Sequence, residues 1–351
     1  MSSRCEGPGI SRRTLLGTAA AAALAASALP TRGNAQGTVT SSDLIDFHAH
    51  FLPQVYLEKA KAAGQSPDGM PEWPAWTLDD HLFLMDLTGI AVSVLSISSP
   101  GVHFGDDSAA AALARLVNDE AAKLVSSRSD RLRFLAALPL PDVQGAIQEW
   151  QRVRSAPGCV GAIIMSHAAG LYPGNPKFDP LWQELNRAKP IVLMHPTSPL
   201  NWRAVSPSRP RPMMEFYFES ARACIDMFKA TLVERYPNIR LLIPHCGGAL
   251  PIALDRVMML AGAGLSAAPL STPDQVRKLW FDSAGSPFPV QMPSLLRHTT
   301  ADRIVYGSDF CFTPSLGVLA QLTSISSAGA SPLGPSWADT MKANGSRLLT
   351  A

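Results

Sequence analysis

Four strand-like apolar runs each end in side chains that can bind a transition metal. They are Leu44-Ile45-Asp46-Phe47-His48-Ala49-His50, Ile191-Val192-Leu193-Met194-His195, Leu241-Leu242-Ile243-Pro244-His245 and Ile304-Val305-Tyr306-Gly307-Ser308-Asp309. His48 and His50 stand two residues apart, so on a strand both imidazoles leave the same face and one ion can take both. His195 and Asp309 complete a set of three nitrogens and a carboxylate. Such a set binds a divalent ion and leaves a position for water or substrate. A lone histidine in an apolar run is more simply a hydrogen-bonded core imidazole; four positions at strand ends together point to one metal site. His245 is set apart by the turn after it, Cys246-Gly247-Gly248-Ala249-Leu250-Pro251. These small residues let a ligand come close to the backbone. A neutral imidazole there can serve as general acid or base near neutral pH, while Asp309 can both bind the ion and move a proton.

These side chains are far apart in sequence, so the elements carrying them must converge. Apolar runs recur near 44–48, 91–97, 132–138, 160–165, 191–195, 240–244, 279–282 and 303–306. Helical patterns separate them, among them 108–126, 143–153, 180–188 and 218–235. Short continuous apolar strands alternating with helices imply a parallel sheet buried on both faces. Eight such units predict an α/β fold, a (β/α)8 TIM barrel, with the site at the carboxyl ends of the strands. Two insertions, at about 54–77 and 196–212, leave from that face and are expected to shape a pocket. The segment 331–351 reads as a proline-rich turn and a closing helix.

The first residues have a different logic. Ser11-Arg12-Arg13-Thr14-Leu15-Leu16, the alanine-rich run from Gly17 to Leu29 and Gly33-Asn34-Ala35 together read as a twin-arginine signal peptide over residues 1–35. The expected mature part, 36–351, is one barrel domain, periplasmic or secreted, with no membrane span of its own. The leader holds Arg4, Arg12, Arg13 and Arg32 against Glu6 alone, so the formal net charge of +2 is largely its property. The remainder has no long basic stretch, which argues against a nucleic-acid partner. With 46% apolar residues, one large core is within reach. Cys159, Cys224, Cys246 and Cys311 form no C-x-x-C pair and read as buried thiols, the last two near the pocket.

The chain resembles the amidohydrolase-2 group, and within it the amino-carboxymuconate-semialdehyde decarboxylase family. The resemblance is carried by Asp46-Phe47-His48-Ala49-His50-Phe51-Leu52-Pro53, Met194-His195-Pro196, the block from His245 to Pro251, and Tyr306-Gly307-Ser308-Asp309-Phe310, in order from about residue 43 to the end. The stretches 95–104, 138–142 and 195–199 are more specifically similar to 6-methylsalicylate decarboxylases. The resemblance implies zinc, or alternatively manganese, on His48, His50, His195 and Asp309, with His245 as general acid or base. The fourth strand, Val160 to Met165, lacks the lysine that bridges two metals in binuclear barrels of this type, so one ion is expected. Arg256 matches an arginine that in relatives enters a neighbouring subunit's site and holds a substrate carboxylate, which implies a homodimer. The activity implied is non-oxidative decarboxylation of a small aromatic carboxylate, 6-methylsalicylate or a related hydroxybenzoate. A metal-dependent lactonase or amidase is the alternative, because the same ligands serve both chemistries. His167 is a candidate contact near the ion, and Phe104, Trp202 and Phe216 are candidates to sandwich a ring.

Overall fold

Each apolar run becomes a strand because its side chains find cover on both faces. The computed structural model describes residues 43–350, so the expected leader lies outside the described residues. The strands are β1 (Leu44–His50), β2 (Ile90–Ser96), β3 (Leu132–Ala137), β4 (Cys159–Met165), β5 (Ile191–His195), β6 (Arg240–Ile243), β7 (Trp280–Asp282) and β8 (Ile304–Val305). They pair in parallel in sequence order, β1 to β8. The circle is completed just beyond β8, where β1 bridges Tyr306 and Phe310. There Phe47 N–H donates to the Tyr306 carbonyl at 3.0 Å and Asp309 N–H to the His48 carbonyl at 2.7 Å. The predicted eight-stranded barrel is therefore observed, with β1 and β5 buried along their whole length.

The helices form the outer layer, and their ends are set by the local sequence. Thr77, Asp106 and Asp142 each accept a backbone N–H of the first turn, starting the helices Leu78–Thr88, Asp107–Ser127 and Val143–Val153. Gly89, at φ 71°, ends the first of these and turns the chain into β2. The helix expected over 218–235 instead runs Glu215–Lys229 and stops at Ala230; Thr231 takes a left-handed φ of 49° before a short turn, Leu232–Arg235. The insertion after β1 is not all loop: it opens with the helix Gln54–Ala62. The insertion after β5 holds the short helix Trp202–Val205 and ends in a 3-10 turn, Arg211–Met213, and the closing helix runs Trp337–Thr350.

Candidate metal centre and active site

The strand ends bring His48, His50, His195 and Asp309 together, with one ligand atom from each lying within 4.8 Å of the others. His48 Nε2 is 3.1 Å from His50 Nε2 and 3.4 Å from Asp309 Oδ1, and His50 Nε2 is 3.1 Å from the same oxygen. The three imidazoles are fully buried or nearly so. Two local features allow this crowding. At Gly307 an added Cβ would lie 2.8 Å from His48 Cβ and 3.0 Å from Asp282 Cβ, so only glycine lets the end of β8 close against β1 and β7. At Gly248 (φ 58°) an added Cβ would lie 2.7 Å from the Tyr217 carbonyl, so the turn after His245 can rest on the helix Glu215–Lys229.

Behind each imidazole stands an acceptor. His48 Nδ1 faces Asp282 Oδ2 at 2.9 Å, His50 Nδ1 faces the Ser96 carbonyl at 3.4 Å, and His195 Nδ1 faces the Pro196 carbonyl at 2.7 Å. These partners place a proton on each Nδ1 and turn each Nε2 toward a common point beside the Asp309 carboxylate. Close nitrogens aimed at one another and at a carboxylate are what one divalent cation satisfies, so the residues fit a metal ion. Without one, charge is held by protons. Burial would lower the pKa of His48, yet Asp282 and then Asp309 outweigh it and push it up to about 9. Burial lowers His50, and it lowers His195 further, helped there by the charge of His50 and His48. Burial alone would raise the Asp309 carboxyl, but His48, with hydrogen bonds from His245 and His50, holds it well below the ordinary carboxylate range.

His245 joins this centre through Asp309: its Nε2 is 3.4 Å from Asp309 Oδ2. Its backbone N–H donates to Asp282 Oδ1 at 2.8 Å, so one carboxylate holds both His48 and His245. Asp282 is the residue that sequence reasoning missed, although an acid closing the apolar run Trp280-Phe281-Asp282 was the available signal. Asp46 stands in the sequence only as the start of a motif. In the barrel its Oδ1 accepts from His48 N–H and Ser308 N–H, both at 3.0 Å, and so ties the ligand strand to the segment carrying Asp309.

Other candidates fall elsewhere. Arg256 is exposed on the helix Leu250–Gly262 and does not line the cavity beside the cluster. His167 Nε2 donates to the Ser198 carbonyl at 2.9 Å and lines a different cavity. Cys246 and Cys311 are buried thiols outside the cavity lining. The cavity, about 310 Å³, is walled by Phe216 as expected, but with Tyr217 and Phe312 rather than Phe104 and Trp202. Phe104 packs on Tyr56, and Trp202 stacks under Arg203 and Arg211.

Residues 45–339 match the model of the amidohydrolase family Amidohydro_2. The chain belongs to this family. The amidohydrolase is 34% identical over 288 residues, 78% of each chain, to the decarboxylase yanB of Aspergillus niger. It is 28% identical to 6-methylsalicylic acid decarboxylase of Penicillium expansum, covering 78% of this chain and 87% of that one. Among solved structures it is similar to an amidohydrolase II at 32% identity and a TM-score of 0.78, over 88% of this chain and 100% of the other.

Proposed function

We propose that this amidohydrolase is a metal-dependent, non-oxidative decarboxylase of a small aromatic acid, 6-methylsalicylate or a related hydroxybenzoate. The observation that carries the reading is a cavity walled by Phe216, Tyr217 and Phe312, with His195, His245 and Asp309 at its base, in a chain similar to decarboxylases over most of its length. A flat ring fits aromatic walls, and a polar base fixes its orientation. His48, His50, His195 and Asp309 would hold one divalent ion. Bound there, the ion supplies positive charge for the substrate's phenolic and carboxylate oxygens. Three nitrogens and one carboxylate favour zinc, with manganese the alternative.

The chain's own residues handle the proton. His245 Nε2 and Asp309 Oδ2, 3.4 Å apart, can share one proton and deliver it to the ring carbon that bears the carboxylate. The carbon–carbon bond then breaks, its electron pair restores the aromatic ring, and carbon dioxide leaves. Asp282 keeps His245 and His48 in place while this happens. Arg256, exposed beside Ile252 and Met259, would serve the site of a second subunit in a homodimer, where a guanidinium can grip a carboxylate with two bonds. Export by the twin-arginine route to the periplasm or beyond belongs to the same proposal. Among the described residues no helix is long and apolar enough to cross a membrane.

The test is carbon dioxide release from 6-methylsalicylate and a panel of hydroxybenzoates by zinc- or manganese-loaded protein, with a chelated control. Metal-dependent release is expected, and His245→Asn should lower it about 10²- to 10⁴-fold while leaving metal content unchanged. Protein holding one ion per chain that releases no carbon dioxide, yet opens lactones, would overturn the decarboxylase reading in favour of a hydrolase.

A further inference from the structure

The cavity holds a second acid that the chemistry above does not use. Asp68, on the insertion after β1, lines the same cavity as His195 and Asp309. It is only 5% exposed, and its backbone sits at a left-handed φ of 53°. Residues of the other insertion hold it from behind. Ser198 Oγ donates to its Oδ1, and Arg211 Nη2 lies 3.9 Å from the same oxygen. Burial pushes the Asp68 carboxyl above the ordinary carboxylate range, against hydrogen bonds from Ser198, through side chain and backbone, and from Ser99. Arg211 Nε donates to Ser198 Oγ at 2.8 Å, and its backbone N–H donates to the Asp68 carbonyl at 2.9 Å.

A buried carboxylate is costly unless it is fully paired and hydrogen-bonded. Ser198, through side chain and backbone, Ser99 and an arginine at 3.9 Å hold this one from behind, while the residue itself lines the cavity. Clamping two loops together does not require an acid, since an asparagine could accept the same bonds. What an acid adds is a second carboxyl oxygen, a strong acceptor, on the cavity wall. An acceptor gives a substrate carboxylate no donor to bond, which leaves that group to the metal ligands and His245. It welcomes a hydroxyl on another edge of the ring and gains nothing from a methyl group there.

We propose that Asp68 is a specificity-determining residue that accepts a hydrogen bond from a second ring hydroxyl, so that the preferred substrate is a dihydroxybenzoate rather than an alkyl-substituted salicylate. This rests on the decarboxylase reading and narrows its substrate. The experiment compares wild type, Asp68→Asn and Asp68→Ala on the 2,3-, 2,4-, 2,5- and 2,6-dihydroxybenzoates. Each is paired with the salicylate carrying methyl in place of the second hydroxyl. For one pair the wild type should favour the dihydroxy acid in kcat/KM by about ten- to hundredfold, as a hydrogen bond to a charged group allows. Asp68→Ala should erase that preference, lowering kcat/KM for the dihydroxy acid by about tenfold or more beyond any fall for its methyl partner. The proposal is overturned if no pair shows a preference, or if both members fall in parallel, as loss of a mere clamp would produce. Asp68→Asn, which keeps the bond from Ser198, guards against a folding failure and should lose most of the preference too. If no acid releases carbon dioxide, calorimetric binding of the matching dihydroxybenzenes and methylphenols still reads the Asp68 contact. A preference there that Asp68→Ala removes would uphold the contact while the decarboxylase reading fell.

Discussion

Two cavities of nearly equal size open at the same end of the barrel, about 310 Å³ and about 330 Å³, and they differ in the chemistry of their walls. The first has His195, His245, Asp309 and Asp68 in its lining. The second lies over the ends of β2, β3 and β4 and is walled by Ile97, Leu138, Ile164 and Met165. Its two histidines are already engaged, His167 with the Ser198 carbonyl and His103 with Asp107. The fold thus supplies a mouth, and chemistry arises only where strand ends carry donors with acceptors behind them. On the metal side every ligand imidazole has such a backing group; the cavity over β2 to β4 is lined mainly by alkyl groups instead.

The sharpest way to break this comparison is to remove a backing group and leave the ligands. Asp282→Asn keeps the size of the side chain but gives up the carboxylate that fixes His48 Nδ1 and the His245 backbone. Metal affinity should fall about 10- to 100-fold, the usual cost of losing a partner behind a ligand imidazole. Competition with a chelator measures it. Unchanged affinity would mean that the ligands alone distinguish the two cavities.

The limits of sequence reading fall along the same division. The eight strands were legible because each is a short apolar run between helical patterns, and the ligands because they end such runs. Asp282 was hidden by its own strand: β7 is three residues long, and nothing in Trp280-Phe281-Asp282 says that the acid faces His48, 234 positions earlier. That contact exists only once the barrel closes at Gly307. One of the three aromatic walls was legible, since Phe216 was among the expected aromatics while Tyr217 and Phe312 were not. Choosing among neighbouring aromatics depends on how the helix Glu215–Lys229 is rotated and on the turn after Asp309, and neither is set by spacing. Arg256 was placed by resemblance alone, and its position on an exposed helix face gives it no role in its own chain's cavity.

A second test asks whether the wall behind the metal side is itself tuned to stay neutral. His81 accepts from Trp76 Nε1–H at Nδ1 (3.2 Å), so its Nε2 carries the proton and donates to Ser93 Oγ at 2.9 Å. Its ring packs edge-on against Phe310, next to Asp309. Burial, with a smaller contribution from the charge of His50, pushes its pKa from 6.5 down to about 4. Because the folded pKa is the lower one, unfolding takes up a proton as pH falls. Stability is therefore full above about 6.5 and is lost progressively toward pH 4. Between pH 7 and pH 5 this amounts to about 2 kcal/mol. Urea melts at the two pH values should show His81→Gln losing less stability on acidification than the parent, by about that amount. Equal losses would mean that His81 is not held neutral.

The smallest expected effect decides whether the apolar cavity is truly separate. His103 lines it and is the histidine there nearest to solvent, its Nε2 2.8 Å from an exposed Asp107 carboxylate. An exposed pair of this kind contributes less than about 1 kcal/mol. His103→Ala should therefore change neither stability nor kcat/KM by more than about twofold, read in the same carbon dioxide assay. A tenfold fall in kcat/KM with an unchanged melting temperature would place a reacting or guiding group over β2. The two cavities would then be parts of one site, and the apolar half would have to be counted as the place where the substrate's ring or its product passes. A fall in both would mean only that the Asp107 end of its helix had been loosened, since that residue begins the helix Asp107–Ser127. The two measurements together thus separate a site divided by function from one divided only by polarity.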